Sequence, residues 1–212
     1  MVEKKGFFIT FEGPEGAGKS SQVERLASYL RNKGYECLLT REPGGTSLAE
    51  KLRQVVKSHR GPEKVHPETE LLLMEAARAQ HVRELILPAL SAGKTVICDR
   101  FFDSTTAYQG GARNLDRSTI DELNMFAAAG RKPDLTFLMD LPPEEGFRRI
   151  ASRKSEGFDR FENEKIDFHR NVRKAFLELA QAEPERIKIV DAAMDIESIS
   201  EFIRKSVDES LF

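Results

Sequence analysis

Five short apolar runs alternate along the chain with stretches in which apolar positions recur every three or four residues. The runs are Phe7–Phe11, Tyr35–Thr40, Thr95–Cys98, Leu135–Met139 and Ile187–Val190. Continuous apolar character marks strands covered on both faces. Their alternation with helical stretches predicts a parallel sheet joined by right-handed crossovers. Helical spacing covers residues 18–33, 46–58, 67–91, 116–129, 143–154, 164–182 and 195–209. Val23, Leu26, Ala27 and Leu30 define the buried face of the first of these. No repeat or low-complexity linker interrupts the pattern, so one α/β domain over residues 1–212 is expected. One segment departs from it. Arg148–Arg160 is rich in Arg, Lys, Ser and Gly and poor in apolar residues, the composition of a solvated, mobile lid spanning about 148–162.

Composition narrows the partners. A hydrophobic fraction of 40% and a charged fraction of 32% over 212 residues suit a globular protein with a full core. The net charge of −2 supplies no general basic field for nucleic acid. Cys37 and Cys98 both fall in apolar runs, which predicts buried thiols in a reducing cytoplasm. Met1–Lys5 leads directly into the first strand with no room for a signal peptide, and no apolar run approaches the roughly 18 residues that span a bilayer. The expectation is a soluble, cytoplasmic protein with no membrane and no nucleic-acid partner.

The chemistry concentrates where the runs end. Gly13-Pro14-Glu15-Gly16-Ala17-Gly18-Lys19-Ser20 fits G-x-x-x-x-G-K-[ST], preceded by a strand and followed by a helix, with Ser21 next in the helix. Glycines let successive backbone N–H groups turn inward, and the helix start adds its positive end. Lys19 would reach the β- and γ-phosphates of ATP, and the Ser20 hydroxyl would bind Mg²⁺. Asp99 closes the third strand beside this loop and is placed to hold Mg²⁺ directly or through water; an Asp–Arg pair or a helix cap is the competing account. Arg100 offers a planar guanidinium to two phosphate oxygens. The x-x-Gly expected after such an Asp in a GTPase is absent, as is a later Asn-Lys-x-Asp, which favours a kinase over a switch.

Other strand ends add to the site. Arg41-Glu42-Pro43-Gly44-Gly45-Thr46 follows the second run, with Thr46 as a helix cap, though a plain turn also accounts for Pro-Gly-Gly. Arg78 shares a helical face with Leu71, Met74, Val82 and Leu85, so it is either paired in the interior or faces an anionic ligand. Gln80 and His81 carry no clear signal. Ser104, Thr105, Tyr108 and Gln109 offer hydroxyls and an amide for a base and sugar, with Tyr108 equally readable as core. Arg153 and Arg160, in the lid, would stabilise the charge that develops on a transferring phosphoryl group.

Four blocks together resemble the thymidylate kinase family: Phe11–Ser20, Thr40–Thr46, Asp99–Phe101 and Ser104–Gly111, in the family's order. The resemblance implies a P-loop nucleoside-monophosphate-kinase fold, a five-stranded parallel sheet flanked by helices, that transfers phosphate from ATP to dTMP. It implies that Arg78 hydrogen-bonds thymine, Arg100 grips the dTMP phosphate, and Asp99 sits on the Mg²⁺ side. Glu15 then contacts the acceptor sugar or orders the surroundings of Arg100, and Glu42-Pro43 lies over the base. Ser104, Thr105, Tyr108 and Gln109 form the wall reading base and deoxyribose. The loop lacks an arginine while the lid carries Arg153 and Arg160, as in the bacterial, lid-arginine form. Phe101 stands where many relatives have Tyr or His. The family is typically homodimeric, and the 67–90 helix is a plausible contributor to that contact.

Overall fold

The computed structural model describes residues 6–59, 61–151 and 159–211. The five apolar runs form β1 (Phe7–Glu12), β2 (Cys37–Arg41), β3 (Thr95–Asp99), β4 (Leu135–Asp140) and β5 (Ile187–Asp191). All pair in parallel, in the spatial order β2-β3-β1-β4-β5. Each strand runs one residue past its apolar stretch into a charged one, and those residues stand along one end of the sheet. β1 is central. Phe11 is in register with Asp99 of β3, and Glu12 with Leu138 of β4.

Alternation across β1 explains why its run is apolar apart from Thr10, whose hydroxyl is paired with that of Thr136 in the interior. Ile9 and Phe11 face one layer, packed with Val23, Leu26 and Leu30 of α1 (Lys19–Asn32) and with Ile199 and Ile203 of the C-terminal helix. Phe8 faces the other, against Val82, Ile86, Val96 and Phe101. Covering both faces of a parallel strand this way removes its side chains from water on each side.

The helices follow the expected spacing: α2 (Ser47–Ser58), α3 (Pro67–His81), α4 (Leu87–Ser91), α5 (Phe102–Thr105), α6 (Arg117–Ala127), α7 (Pro143–Ala151), α8 (Ile166–Ala182) and α9 (Ile196–Leu211). Thr46 caps α2 as its sequence suggests, its Oγ1 accepting Ala49 N–H at 3.3 Å.

Three expectations need correction. The 67–91 helix is not uniform: a wide π-helical turn over Val82–Ile86 separates α3 from α4. Pro88 has no N–H to give and crowds the preceding turn, which a wider turn relieves. The segment after β3, outside the helical spans expected from spacing, is helical: α5 continues into a second π-helical turn, Thr106–Ala112. There, packing of Ala107 and Tyr108 against Phe168, Val172 and Phe176 of α8 overrides two glycines and a Ser-Thr-Thr run. Cys98 is buried, whereas Cys37, at the start of an outer strand, is only half-buried.

Candidate functional site

A cavity of about 400 Å³ opens at the carboxyl ends of β1, β2 and β3, the position expected for a ligand in an open parallel sheet. Three sequence-distant segments supply much of its lining, joined by residues of α2, α3 and α7. The three segments are the loop after β1 (Glu15–Ser21), the turn after β2 (Arg41–Pro43) and the helix after β3 (Asp99–Gln109).

The first wall is a backbone cradle. Gly18 precedes α1 in the left-handed region, φ 84°, and no side chain caps that helix, so its first N–H groups remain for an anion. Gly16 has φ +75°, and a Cβ there would overlap the backbone of Gly146 in α7. Lys19 is buried, and its Nζ donates to the carbonyls of Gly13 (3.0 Å) and Pro14 (2.7 Å). Burial, with the Arg100 charge next, pulls the Lys19 ammonium below its ordinary range. Ser20 Oγ donates to Asp99 Oδ2 at 2.6 Å, which joins the loop to the end of β3. Pro14 and Ala17 shape the loop from behind; Ala17 packs into the core.

Arg100 sits at the centre. Its φ of 69° is rare for a side-chain-bearing residue, and its N–H donates to Phe11 O at 2.8 Å. Its guanidinium donates to Glu15 Oε1 (2.7 Å) and Ser104 Oγ (3.1 Å) and lies over the Tyr108 ring. Burial pushes the Glu15 carboxyl up, but Arg100, then Lys19 and Lys57, outweigh it and hold it well below the carboxylate range. Behind Arg100 stands Glu12, the buried last residue of β1. Glu12 accepts Phe101 N–H at 2.7 Å, and its other oxygen lies 2.6 Å from Ser104 Oγ. Burial, then the Asp103 charge, pushes its carboxyl up to about 8. The sequence signal for Glu12 was a lone acid ending an apolar strand.

The opposite wall is a network of buried side chains. Arg78 Nε donates to Glu42 Oε2 (2.8 Å), Nη1 to Glu75 Oε1 (2.6 Å) and Asn124 Oδ1 (3.0 Å), and Nη2 to Thr105 Oγ1 (2.9 Å). Burial works against the Arg78 charge, but Glu42 and Glu75 more than compensate and raise it above its usual range. Glu42 also accepts from His81 Nδ1 at 2.9 Å. Arg78 is therefore a paired interior arginine that also lines the cavity. Pro43 follows Glu42 through a cis peptide, with its carbonyl accepting Arg53 Nη1–H at 2.9 Å. Gln109 Nε2 donates to the fully buried Glu70 at 2.6 Å.

Arg41, Arg53 and Lys57 add three cations to the cavity that sequence reading did not assign to an acceptor. Arg53 and Lys57 are one helical turn apart on α2, so a helical projection from the Thr46 cap would have grouped them. Burial, then Arg41, lowers the Arg53 guanidinium below its ordinary value. Met74, Phe101, Ile150 and Phe161 supply apolar surface.

The expected lid divides in three. Arg148 and Arg149 belong to α7 and pair with Glu145 of the same helix. Arg153 lies outside the described residues. Arg160 turns from the cavity: its Nε donates to Val56 O at 2.9 Å, and its Nη2 lies 2.7 Å from Glu70 Oε2 as an ion pair without hydrogen-bond alignment. Asp159 pairs with Lys57 at 2.6 Å, holding the base of this segment against α2.

The sequence matches the thymidylate kinase family over residues 11–203. It is 53% identical over 190 residues to the thymidylate kinase of Desulfosudis oleivorans, covering 87% of this chain and 88% of that one. It is 52% identical over 198 residues to that of Pseudomonas fluorescens, covering 93% of each. The crystal structure of thymidylate kinase from Ehrlichia chaffeensis superposes with a TM-score of 0.76 at 33% identity, covering 96% of this chain and 99% of that one.

Proposed function

The chain belongs to the thymidylate kinase family and phosphorylates dTMP to dTDP at the expense of ATP; we propose the following division of that reaction among its residues. ATP lies along Gly13–Ser21, its phosphates taking the N–H groups of the α1 start and the ammonium of Lys19. dTMP lies between the Arg78 wall and α5, with Glu42 and Pro43 over its base and Ser104, Thr105, Tyr108 and Gln109 beside base and sugar. Its phosphate takes Arg100 from Glu15, with Arg53 within the same cavity. The observation that carries this reading is that Ser20–Asp99 and Glu15–Arg100 contacts bring donor loop and acceptor turn to hydrogen-bonding distance in one cavity.

The Ser20 hydroxyl and Asp99 carboxylate are hard oxygen donors that converge beside the phosphate loop, a donor set that suits Mg²⁺. When bound there, Mg²⁺ neutralises charge on the phosphates. The chain's own residues supply positioning and fixed positive charge, and little covalent chemistry is required of them. Arg153 and Arg160 stabilise the transferring group when the lid closes; for Arg160 this means leaving Glu70 and Val56. Asp99→Asn is expected to raise the Mg²⁺ concentration for half-maximal activity at least several-fold while the KM for dTMP stays put. An unchanged Mg²⁺ requirement in a coupled ADP assay removes Asp99 from that role.

The same proposal includes a homodimer in the cytoplasm. Leu72 of α3 and Phe126 of α6 are 57% and 74% exposed on helices that lie side by side, apolar surface that a second copy would cover. Phe126→Glu should shift the mass measured by light scattering from dimer to monomer; a dimeric variant refutes this face.

A further inference from the structure

His81 is fully buried at the C-terminal end of α3, one turn after Arg78, and both of its ring nitrogens are engaged. Nδ1 faces Glu42 Oε1 at 2.9 Å and Nε2 faces Thr40 Oγ1 at 2.7 Å. A carboxylate only accepts, so Nδ1 carries the proton. In the neutral ring Nε2 then accepts the Thr40 hydroxyl. A chain results, from Thr40 to His81 to Glu42 to Arg78, that begins and ends on different elements. We propose that His81 is a positioning residue for acceptor recognition: its Nδ1–H holds Glu42 so that Arg78 keeps one donor free for the base of the acceptor nucleotide. The inference rests on the reading of Arg78 as the base-contacting arginine.

The physical reason lies in how Glu42 is shared. An arginine and a carboxylate left to themselves favour a two-pronged pairing, both oxygens against two N–H groups. Here Oε1 is taken by His81, so Glu42 gives Arg78 a single oxygen, at Nε. The Nη groups are thereby left to Glu75, Asn124 and Thr105. Four of the five guanidinium N–H donors are then used, and the fifth is on Nη2, beside the cavity-lining Thr105. Without His81, Oε1 is a buried acceptor with no donor, and the carboxylate regains the two-pronged pairing by rotating toward Arg78. The guanidinium would turn with it and lose its aim.

A second observation shows the ring is held in place. Gly45, φ +85°, packs so closely that a Cβ on it would lie 2.5 Å from His81 Cδ2 and Nε2 and 2.7 Å from Thr40 Oγ1. The glycine in the Thr40–Thr46 turn therefore makes room for this imidazole, and the turn closes over its edge.

Three substitutions separate positioning from packing. His81→Asn retains an N–H near the place of Nδ1, His81→Gln one near Nε2, and His81→Leu neither. Steady-state kinetics with separately varied dTMP and ATP should give a KM for dTMP raised about tenfold in His81→Leu and His81→Gln, the loss of one hydrogen bond to a charged group. His81→Asn should stay within about threefold of wild type, and the KM for ATP should move less than twofold in all three. Arg78→Lys serves as the reference. If it raises the KM for dTMP while the His81 variants do not, this inference fails alone; if Arg78→Lys itself leaves that KM unchanged, the reading of Arg78 fails. Equal effects of Asn and Gln also overturn the proposal, and that pair decides the matter even if the Leu variant does not fold.

Discussion

On the phosphate-loop side of the cavity, Lys19 gives its donors to two carbonyls of its own loop; on the far side, Arg78 gives its donors to four side chains from four separate segments. The first arrangement is local and provisional. A phosphate can replace both carbonyls without disturbing anything else, and burial alone already works against the ammonium. The second is mostly long-range, and it is permanent. Its partners lie 3, 27, 36 and 46 residues from Arg78 in sequence, and removing one leaves buried polar groups unpaired. The phosphate-loop side thus holds contacts that can be exchanged and the Arg78 side contacts that stay. That is what the proposed assignment asks of them, a phosphate held in every nucleotide and a base that must be told from others.

The sharpest way to break the contrast is Arg78→Ala. It strands Glu42 and Glu75 in the interior, and a broken buried pair costs about 3–5 kcal/mol. Denaturant unfolding should show that loss, together with damaged use of dTMP. A change below about 1 kcal/mol would mean the network is not a permanent fixture. Lys19→Ala should behave in the opposite manner. Its kcat should fall by about 10²–10³, as for other single charge-stabilising donors, while its Tm stays level or rises because a buried charge has been removed. A marked drop in Tm would make the loop structural after all.

Much of the phosphate-loop geometry was readable from the sequence and little of the Arg78 network was. Gly13–Ser20 is a contiguous signal with a strand before it and a helix after it, and its shape follows from backbone geometry. The strands were readable because a doubly covered strand must be apolar on both faces, as Phe8, Ile9 and Phe11 are. Arg78 stood out as a charge on an apolar face, but its partners did not. Glu42 and Thr105 stand out as site candidates and Asn124 does not, but nothing in the sequence pairs any of them with Arg78 until the fold brings them together. The helix after β3 was missed because Ser104-Thr105-Thr106 and Gly110-Gly111 are weak helix formers, and only packing on α8 makes the segment helical. Arg53 and Lys57 were hidden by being two charges among many on an amphipathic helix.

Glu12 belongs to neither side, and its effect shows only as a dependence on pH. Its carboxyl is raised from 4.5 to about 8 by burial and by Asp103. An acid raised in the folded state contributes stability that is complete below its unfolded value and drains away as the pH climbs through about 8. Glu12→Gln carries no such proton, so its Tm relative to wild type should rise between pH 5 and about 8 and level off above it. Parallel curves would show that Glu12 does not titrate with unfolding.

Gly16 and Gly146 have a consequence for how such a sequence can vary. A Cβ on Gly16 would fall on the Gly146 backbone of α7, and a Cβ on Gly146 on the Glu15 carbonyl of the phosphate loop. Each position is closed to a side chain by the facing backbone, so a mutational library sampling one position at a time will find both intolerant. A larger residue can enter only if α7 shifts away from the phosphate loop. The spacing between α7 and the phosphate loop is thus written into two missing methyl groups.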